Sequence, residues 1–401
     1  MPEDNLDRVY VVGTADTKGS ELAHLARLIG DTGAPVCRVD VGTRAPEIEV
    51  DISAAEVAAH HPDGAGAVFA GDDRGPAVSA MAAAFSRFVA SRSDIAGVIG
   101  IGGGGGTSII TAGMRRLPYG LPKIMVSTLA SGDVAPYVDI SDIIMMPSVT
   151  DFAGLNQLSR MILHNAARAM AGMVGTPYRE TGKQRSIGLT MFGVTTQGVS
   201  STIGHLKDTY DCMVFHATGT GGRTMEKLVA DGVLSGVLDL TTTEVCDLLL
   251  GGVLPASADR FGAIARSGVP YVGSVGALDM VNFWAPDTVP KIFDGRRFYH
   301  HNSNVTLMRT TPDECRLIGE WIGRKLSACK GPVRFLIPEK GVSALDIKGG
   351  AFFDPEADEA LFRAIESAFV PSAGRRIERL PLHINDAGFA KAAADAFLSI
   401  I

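Results

Sequence analysis

Short apolar runs recur along the whole chain, each broken by glycine and hydroxyl residues before apolar positions resume at helical spacing. Val9-Tyr10-Val11-Val12 runs into Gly13-Thr14-Ala15-Asp16-Thr17-Lys18-Gly19-Ser20-Glu21, and then come Leu22, Leu25, Leu28 and Ile29. Extended runs alternating with a 3.6-residue period predict βαβ units and a mainly parallel sheet. In the first half the pattern predicts strands at 8–12, 36–40, 67–70, 98–101 and 123–127, and helices at 20–31, 76–90 and 151–174. In the second it predicts strands at 186–192, 212–216, 237–240, 271–275, 305–308, 334–337 and 380–384, with a final helix over 387–401. Gly188 to Ser200 repeats the layout of the first strand and turn without repeating its residues.

Between the two series lies a polar stretch without periodicity, 177–185, which reads as a linker. A chain of 401 residues exceeds the size at which one core usually keeps growing. The expected architecture is therefore α/β, with two Rossmann-like subdomains at 1–180 and 181–401 and mainly parallel sheets.

Composition narrows the partners. Hydrophobic residues make 46% of the chain and charged residues 20%, and no uninterrupted apolar segment is long enough to span a bilayer. The net charge of −7 argues against a general nucleic-acid footprint. Five cysteines without metal-ligand spacing, and an acidic, polar N-terminus without a signal peptide, predict a cytoplasmic protein with no membrane association.

The candidate chemistry sits where strands break into glycine. Gly102 to Gly106 follow the apolar run 97–101 and lead through Thr107 and Ser108 into a helix. Exposed N–H groups at such a helix start attract anions, and phosphate is the obvious guest. Glycine turns of this kind also arise for steric reasons alone, but five in succession exceed what one turn needs. The expected anion-binding residues are Gly13, Thr14, Asp16, Thr17 and Lys18 in the first loop and Gly102, Gly103, Gly104, Gly105, Gly106 and Thr107 in the second. Asp40 ends the second strand, where nucleotide folds often set a carboxylate against ribose; a turn cap is the plain alternative. Lys18 precedes Gly19, so the Walker order is missing. No carboxylate closes a dinucleotide fingerprint either. Asp16, Asp72 or Asp73 could hold magnesium through its waters.

A third anion-type turn is expected over 217–223. Strand-end histidines His216, His300, His301 and His383, taken with Glu339 and Asp279, form a candidate acid–base cluster if the fold gathers them. His216, His301 and Glu339 are the candidate catalytic residues. No histidine spacing supports a metal site.

The ordered blocks 11–21, 102–107, 215–222 and 338–343 resemble the family that includes the N-terminal inhibitory domain of the tomato mosaic virus resistance protein, over essentially the whole chain. The resemblance implies two Rossmann-like subdomains, ATP binding and a homodimer. In the plant protein the domain binds a viral replication protein; that role is not carried over, because the plant chain has a further C-terminal domain. The expectation is an ATP-binding enzyme acting on a small acidic metabolite, with magnesium as a possible companion. Its first-half loops would hold the phosphates and face His216, His301 and Glu339 across a shared cleft. A nucleotide-stabilised dimeric binding module is the alternative.

Overall fold

The structure, a computed structural model, describes residues 7–71, 73–176 and 184–401. The chain divides into two compact units, Met1–Thr181 and Gly182–Ile401. The expected linker at 177–185 falls almost wholly outside the described residues, as does Asp72.

In the N-terminal unit the elements run β1 (Arg8–Gly13), α1 (Gly19–Gly30), β2 (Val36–Asp40), α2 (Ala54–Ala58), α3 (Gly66–Phe69), α4 (Arg74–Ala90), β3 (Ile95–Gly102), α5 (Gly104–Met114), β4 (Lys123–Ser127), α6 (Ala135–Val138), β5 (Ile144–Pro147) and α7 (Gln157–Gly175). The five strands form one parallel sheet in the order β2-β1-β3-β4-β5. Successive residues of a strand point to opposite faces. Tyr10 and Val12 accordingly join Phe85 and Ile110 in one core, while Val9 and Val11 join Leu22, Leu25 and Leu163 in the other. Both faces are covered, which is why the strands read as continuous apolar runs.

The C-terminal unit runs β6 (Arg185–Met191), α8 (Thr196–Leu206), β7 (Tyr210–His216), α9 (Thr220–Ala230), β8 (Val237–Thr241), α10 (Glu244–Leu250), α11 (Gly262–Ser267), β9 (Tyr271–Gly276), β10 (Met280–Phe283), β11 (Phe298–Asn302), β12 (Val305–Arg309), α12 (Pro312–Ser327), β13 (Val333–Pro338), α13 (Pro355–Ala368), β14 (Arg375–Leu380) and α14 (Ala387–Leu398). Six strands form a parallel sheet in the order β14-β13-β9-β8-β6-β7, and β10-β12-β11 form a small antiparallel sheet. Counted from its first strand, each parallel sheet winds outward one step, returns past its start and continues on the other side. Both units are Rossmann-like, doubly wound α/β folds.

Four expectations are corrected. Residues 67–70 are not a strand: Ala67, Val68 and Phe69 lie in α3, and Val68 is buried in the core that α4 and β3 share. So short an apolar run fits either element, and packing decides. The helix expected from 151 starts at Gln157, where the Asn156 side chain accepts from the N–H groups of Leu158 and Ser159. The strand at 305–308 exists as β12, but in the antiparallel sheet. The last strand is β14, earlier than 380–384; its alternation of arginine and glutamate with Ile377 and Leu380 is that of a half-exposed edge strand.

Candidate functional site

In the N-terminal sheet the chain passes from β1 to β2 on one side and then to β3 on the other, so the crevice beyond the ends of β1 and β3 is where ligands bind in such sheets. A cavity of about 480 Å³ opens there, lined by Thr14, Asp16, Thr17 and Lys18 after β1 and by Gly103, Gly105 and Gly106 after β3. That volume lies within the ordinary range for small-molecule sites.

Two helix N-termini meet at this crevice. Lys18 precedes α1 and Gly103 precedes α5, and no side chain caps either helix, so their first N–H groups and positive dipole ends remain available to an anion. The two loops touch: a Cβ on Gly106 would lie 3.9 Å from the Thr14 methyl. Glycine is required at Gly102, where a Cβ would stand 2.8 Å from the Thr107 nitrogen and 2.9 Å from the Gly106 carbonyl carbon.

Three cations line the cavity, Lys18, Arg44 and Arg74, and none makes an ion pair among the described residues. A Cβ on Gly105 would lie 3.7 Å from Arg74 Nη2, which sets that guanidinium over the glycine turn. Of the two lining carboxylates, Asp73 accepts from the Gly75 N–H as the cap of α4. The remaining wall is apolar, with Val41, Val68, Phe69 and Val78. The lining thus combines cations and N–H donors with apolar side chains, and Val78 stands as close to the glycine turn as Arg74 does.

Asp40 is corrected. It is fully buried, and its Oδ1 accepts from the N–H groups of Ala15 at 2.9 Å and Gly42 at 2.7 Å, so it ties the β1 loop to the β2 loop instead of facing a ribose. Burial raises its pKa, the two N–H groups oppose the rise, and the charge of Asp16 adds to it. Oδ2 is buried without a partner. Gly13, Gly102 and Thr107 are buried beneath the crevice; Thr107 Oγ1 lies 2.7 Å from Ser127 Oγ and fixes α5 to β4. Gly104 is exposed at the start of α5 without lining the cavity. Sequence reasoning gave no role to Arg44 or Arg74. It missed Val68 and Phe69 because it read their segment as a strand.

At the corresponding strand ends of the C-terminal unit, buried side chains meet one another. Thr195 Oγ1 lies 2.8 Å from Thr241 Oγ1 across the ends of β6 and β8. The expected third anion turn is filled from within: Glu244 accepts from the Gly219 N–H at 2.7 Å. Arg260, fully buried, donates to Glu244, Glu226 and Asp239, and its guanidinium lies 4.6 Å from the Phe261 ring centroid. Burial raises the pKa of Glu244 against the pull of Arg260.

The candidate catalytic residues do not assemble. His216 ends the edge strand β7, its ring stacked on Phe192 at 5.2 Å and its Nδ1 donating to the Met191 carbonyl at 3.1 Å. Glu339 follows β13, four strand spacings away, roughly 19 Å at about 4.8 Å per strand. His301 is exposed on β11, at the irregularity in its pairing with β12. His383 is buried and structural: Nε2 donates to the Ser343 carbonyl at 2.9 Å and Nδ1 accepts from the Asn385 N–H at 3.1 Å. Among the described residues no group of His, Cys, Asp and Glu is arranged to hold a metal ion, and no helix is long and apolar enough to cross a membrane.

Fold and crevice together define a protein of two doubly wound units, one of which keeps an open, cationic, glycine-rimmed pocket at its strand-order reversal. The chain belongs to the Uncharacterised protein family (UPF0261): residues 7–179 match its N-terminal domain and residues 184–401 its C-terminal domain. It is 71% identical to a UPF0261 protein of Mesorhizobium japonicum over 395 residues, 98% of this chain and 99% of the relative. It is 43% identical to a UPF0261 protein of Clostridium tetani over 400 residues, 98% and 99% of the two chains. It is also 42% identical to the ToMV resistance protein Tm-1 of Solanum lycopersicum over 426 residues, covering 99% of this chain and 56% of the tomato protein.

Proposed function

We propose that the N-terminal crevice binds ATP, and that the protein is an enzyme acting on a small acidic metabolite, working as a homodimer in the cytoplasm. The observation that carries the nucleotide reading is the convergence of two uncapped helix N-termini and three unpaired cations on one cavity at the strand-order reversal. The N–H groups of Gly103 to Gly106 and of the α1 start would take the phosphates. Lys18 and Arg74 would neutralise them, and Asp16 would receive magnesium through its waters. Val68 and Phe69 offer the base an apolar wall, and Phe69 is 43% exposed, open to stacking. A reducing compartment suits five cysteines that are all free.

Calorimetric titration with ATP and magnesium tests the reading. Wild-type protein should bind, and Lys18→Ala or Arg74→Ala should weaken binding about tenfold or more, the usual scale for losing a charge-assisted hydrogen bond. Absence of binding by folded wild type overturns it.

The distance between His216 and Glu339 favours a second reading, a non-catalytic module whose dimer is stabilised by nucleotide. Sedimentation with and without ATP, beside an assay of phosphate release, separates the two. A dimer that tightens with ATP and never turns it over is the module.

A further inference from the structure

The chain between β13 and α13, residues 339–354, forms neither helix nor strand, and loops of this length inside a compact unit usually serve as lids or binding loops. It crosses the carboxyl ends of the C-terminal sheet, the edge at which such sheets bind their ligands. The Ala344 N–H donates to the Val194 carbonyl beyond β6, the Ala277 N–H beyond β9 donates to the Val342 carbonyl, and the Ile384 N–H beyond β14 donates to the Gly341 carbonyl.

One buried group ties this loop down. Asp346, fully buried, accepts from the Val342 N–H through Oδ2 at 2.9 Å, and Ser343 donates to Asp279 Oδ2 at 2.7 Å. Arg309 of β12 donates to the Phe352 carbonyl at 2.8 Å and to Asp358 of α13 at 2.6 Å, and its Nη2 stands 3.9 Å from Asp346 Oδ1. Three carboxyl groups thus face one guanidinium, and their surroundings supply no second cation. The thiols of Cys246 on α10 and Cys315 on α12 stay neutral, because burial pushes both up, Cys315 to about 12. His383 holds the Ser343 carbonyl through Nε2, and its Nδ1 accepts from the Asn385 N–H, so the ring is neutral. Asp354 spends its carboxylate on capping α13, and Lys340 and Lys348 of the loop are exposed. Asp279 Oδ1 and Asp346 Oδ1 are buried without a donor, yet Asp346 lies within hydrogen-bonding reach of the Asp358 carboxyl. Two carboxyl groups hydrogen-bond only while one of them holds a proton; ionised together, they repel.

We infer that residues 339–354 are a lid over the strand ends of the C-terminal unit, latched by a proton that Asp346 and Asp358 share and released when that proton leaves. Burial and the Asp346 carboxylate raise the pKa of Asp358 against the pull of Arg309, and burial raises that of Asp279. A raised carboxyl contributes fully in acid and loses its contribution as pH climbs through the raised value, so the lid is closed in mild acid and opens above neutrality. Opening frees Val342 and Ala344 from Ala277 and Val194 and uncovers the ends of β9 and β6.

Hydrogen exchange of the full chain, read by mass spectrometry from about pH 6 to about pH 9 and corrected for intrinsic rates, provides the test, with β6 as the internal reference. Exchange over 341–354 should rise about tenfold or more beyond any rise in β6. Asp358→Asn removes the ionisable group, while its amide can donate to Asp346 and its oxygen can accept from Arg309, so the loop of that variant should keep its protection at the alkaline end. Asp346→Asn places the amide on the other member of the pair and should do the same. No nucleotide enters the experiment, so its outcome is separate from that of the ATP reading. A wild-type loop whose exchange tracks β6, or an alkaline rise that persists in the folded asparagine variants, overturns the inference.

Discussion

The carboxylate of Glu244 accepts a hydrogen bond from the Gly219 N–H at 2.7 Å, and in doing so occupies from inside the kind of turn that the N-terminal unit leaves open. Glu244 is in turn held by Arg260 Nε, and both are buried. Removing Glu244 leaves the Gly219 N–H and Arg260 Nε without their acceptor, while Glu226 and Asp239 still hold the rest of the guanidinium. Glu244→Ala should therefore destabilise the protein by about 1–3 kcal/mol, the usual penalty for buried donors left unsatisfied. Urea denaturation followed by circular dichroism measures this; a loss under 1 kcal/mol, on the scale of an exposed pair, would contradict the account.

Gly102 should tolerate no side chain. Alanine there would press against the backbone of Gly106 and Thr107, neither of which is a flexible side-chain end that can swing away. Gly102→Ala should shift the start of α5, lower the thermal midpoint and weaken ATP binding together. Alanine at Gly104, where a Cβ would come no closer than 3.6 Å to Leu129 Cδ1, should leave the midpoint nearly unchanged.

For Asp40, charge and geometry can be separated. Asparagine retains an oxygen for the N–H groups of Ala15 and Gly42 and removes a charge that burial disfavours. Asp40→Asn should keep or raise stability at neutral pH. Asp40→Ala should lower it by about 1–3 kcal/mol through two unsatisfied donors. The folded-state pKa is raised, so the wild type gives up stability as pH rises; the asparagine variant should lack that slope.

Acid and alkaline limits arise in different units. In the N-terminal unit Asp94 accepts from Arg8, Arg92 and Tyr10, and these bonds outweigh burial and hold its carboxyl well below the ordinary range. Its contribution is present above the unfolded pKa of about 3.9 and is lost as pH falls. In the C-terminal unit burial pushes Asp247 up to about 7, and Asp279 and Asp358 are also raised. Their contribution is present in mild acid and disappears as pH climbs through neutrality. Hydrogen exchange from pH 3 to 9, corrected for intrinsic rates, should show β1 and β3 losing protection at the acid end and β8 to β10 at the alkaline end. Uniform behaviour across both units would count against this assignment.

Sequence revealed what local pattern controls. Apolar runs ending in glycine mark the strand ends, and of the loop residues that this pattern selects, Thr14, Asp16, Thr17, Lys18, Gly103, Gly105 and Gly106 line the crevice. What escaped depends on strand order and on chain partners far apart in sequence. Arg44 and Arg74 look like ordinary surface arginines until β2 and α4 bring them beside Lys18. His216 and Glu339 look alike as strand-end residues until β7 and β13 prove to be four strand spacings apart in the sheet. Glu244 carried the signal of a helix start. Its actual partner, the turn before α9, lies 25 residues back along the chain.

The glycine run at the start of α5 has a consequence for how selectivity could change over time. A rim made of main chain answers only to negative charge and to the shape of a tetrahedral oxyanion, and it offers selection almost no side chain to vary. Under the proposed nucleotide reading, discrimination among guests would fall to the side chains beyond that rim, among them Val68 and Phe69 on a four-residue helix that contributes no strand to the sheet. Guest preference can drift there while the framework stays fixed.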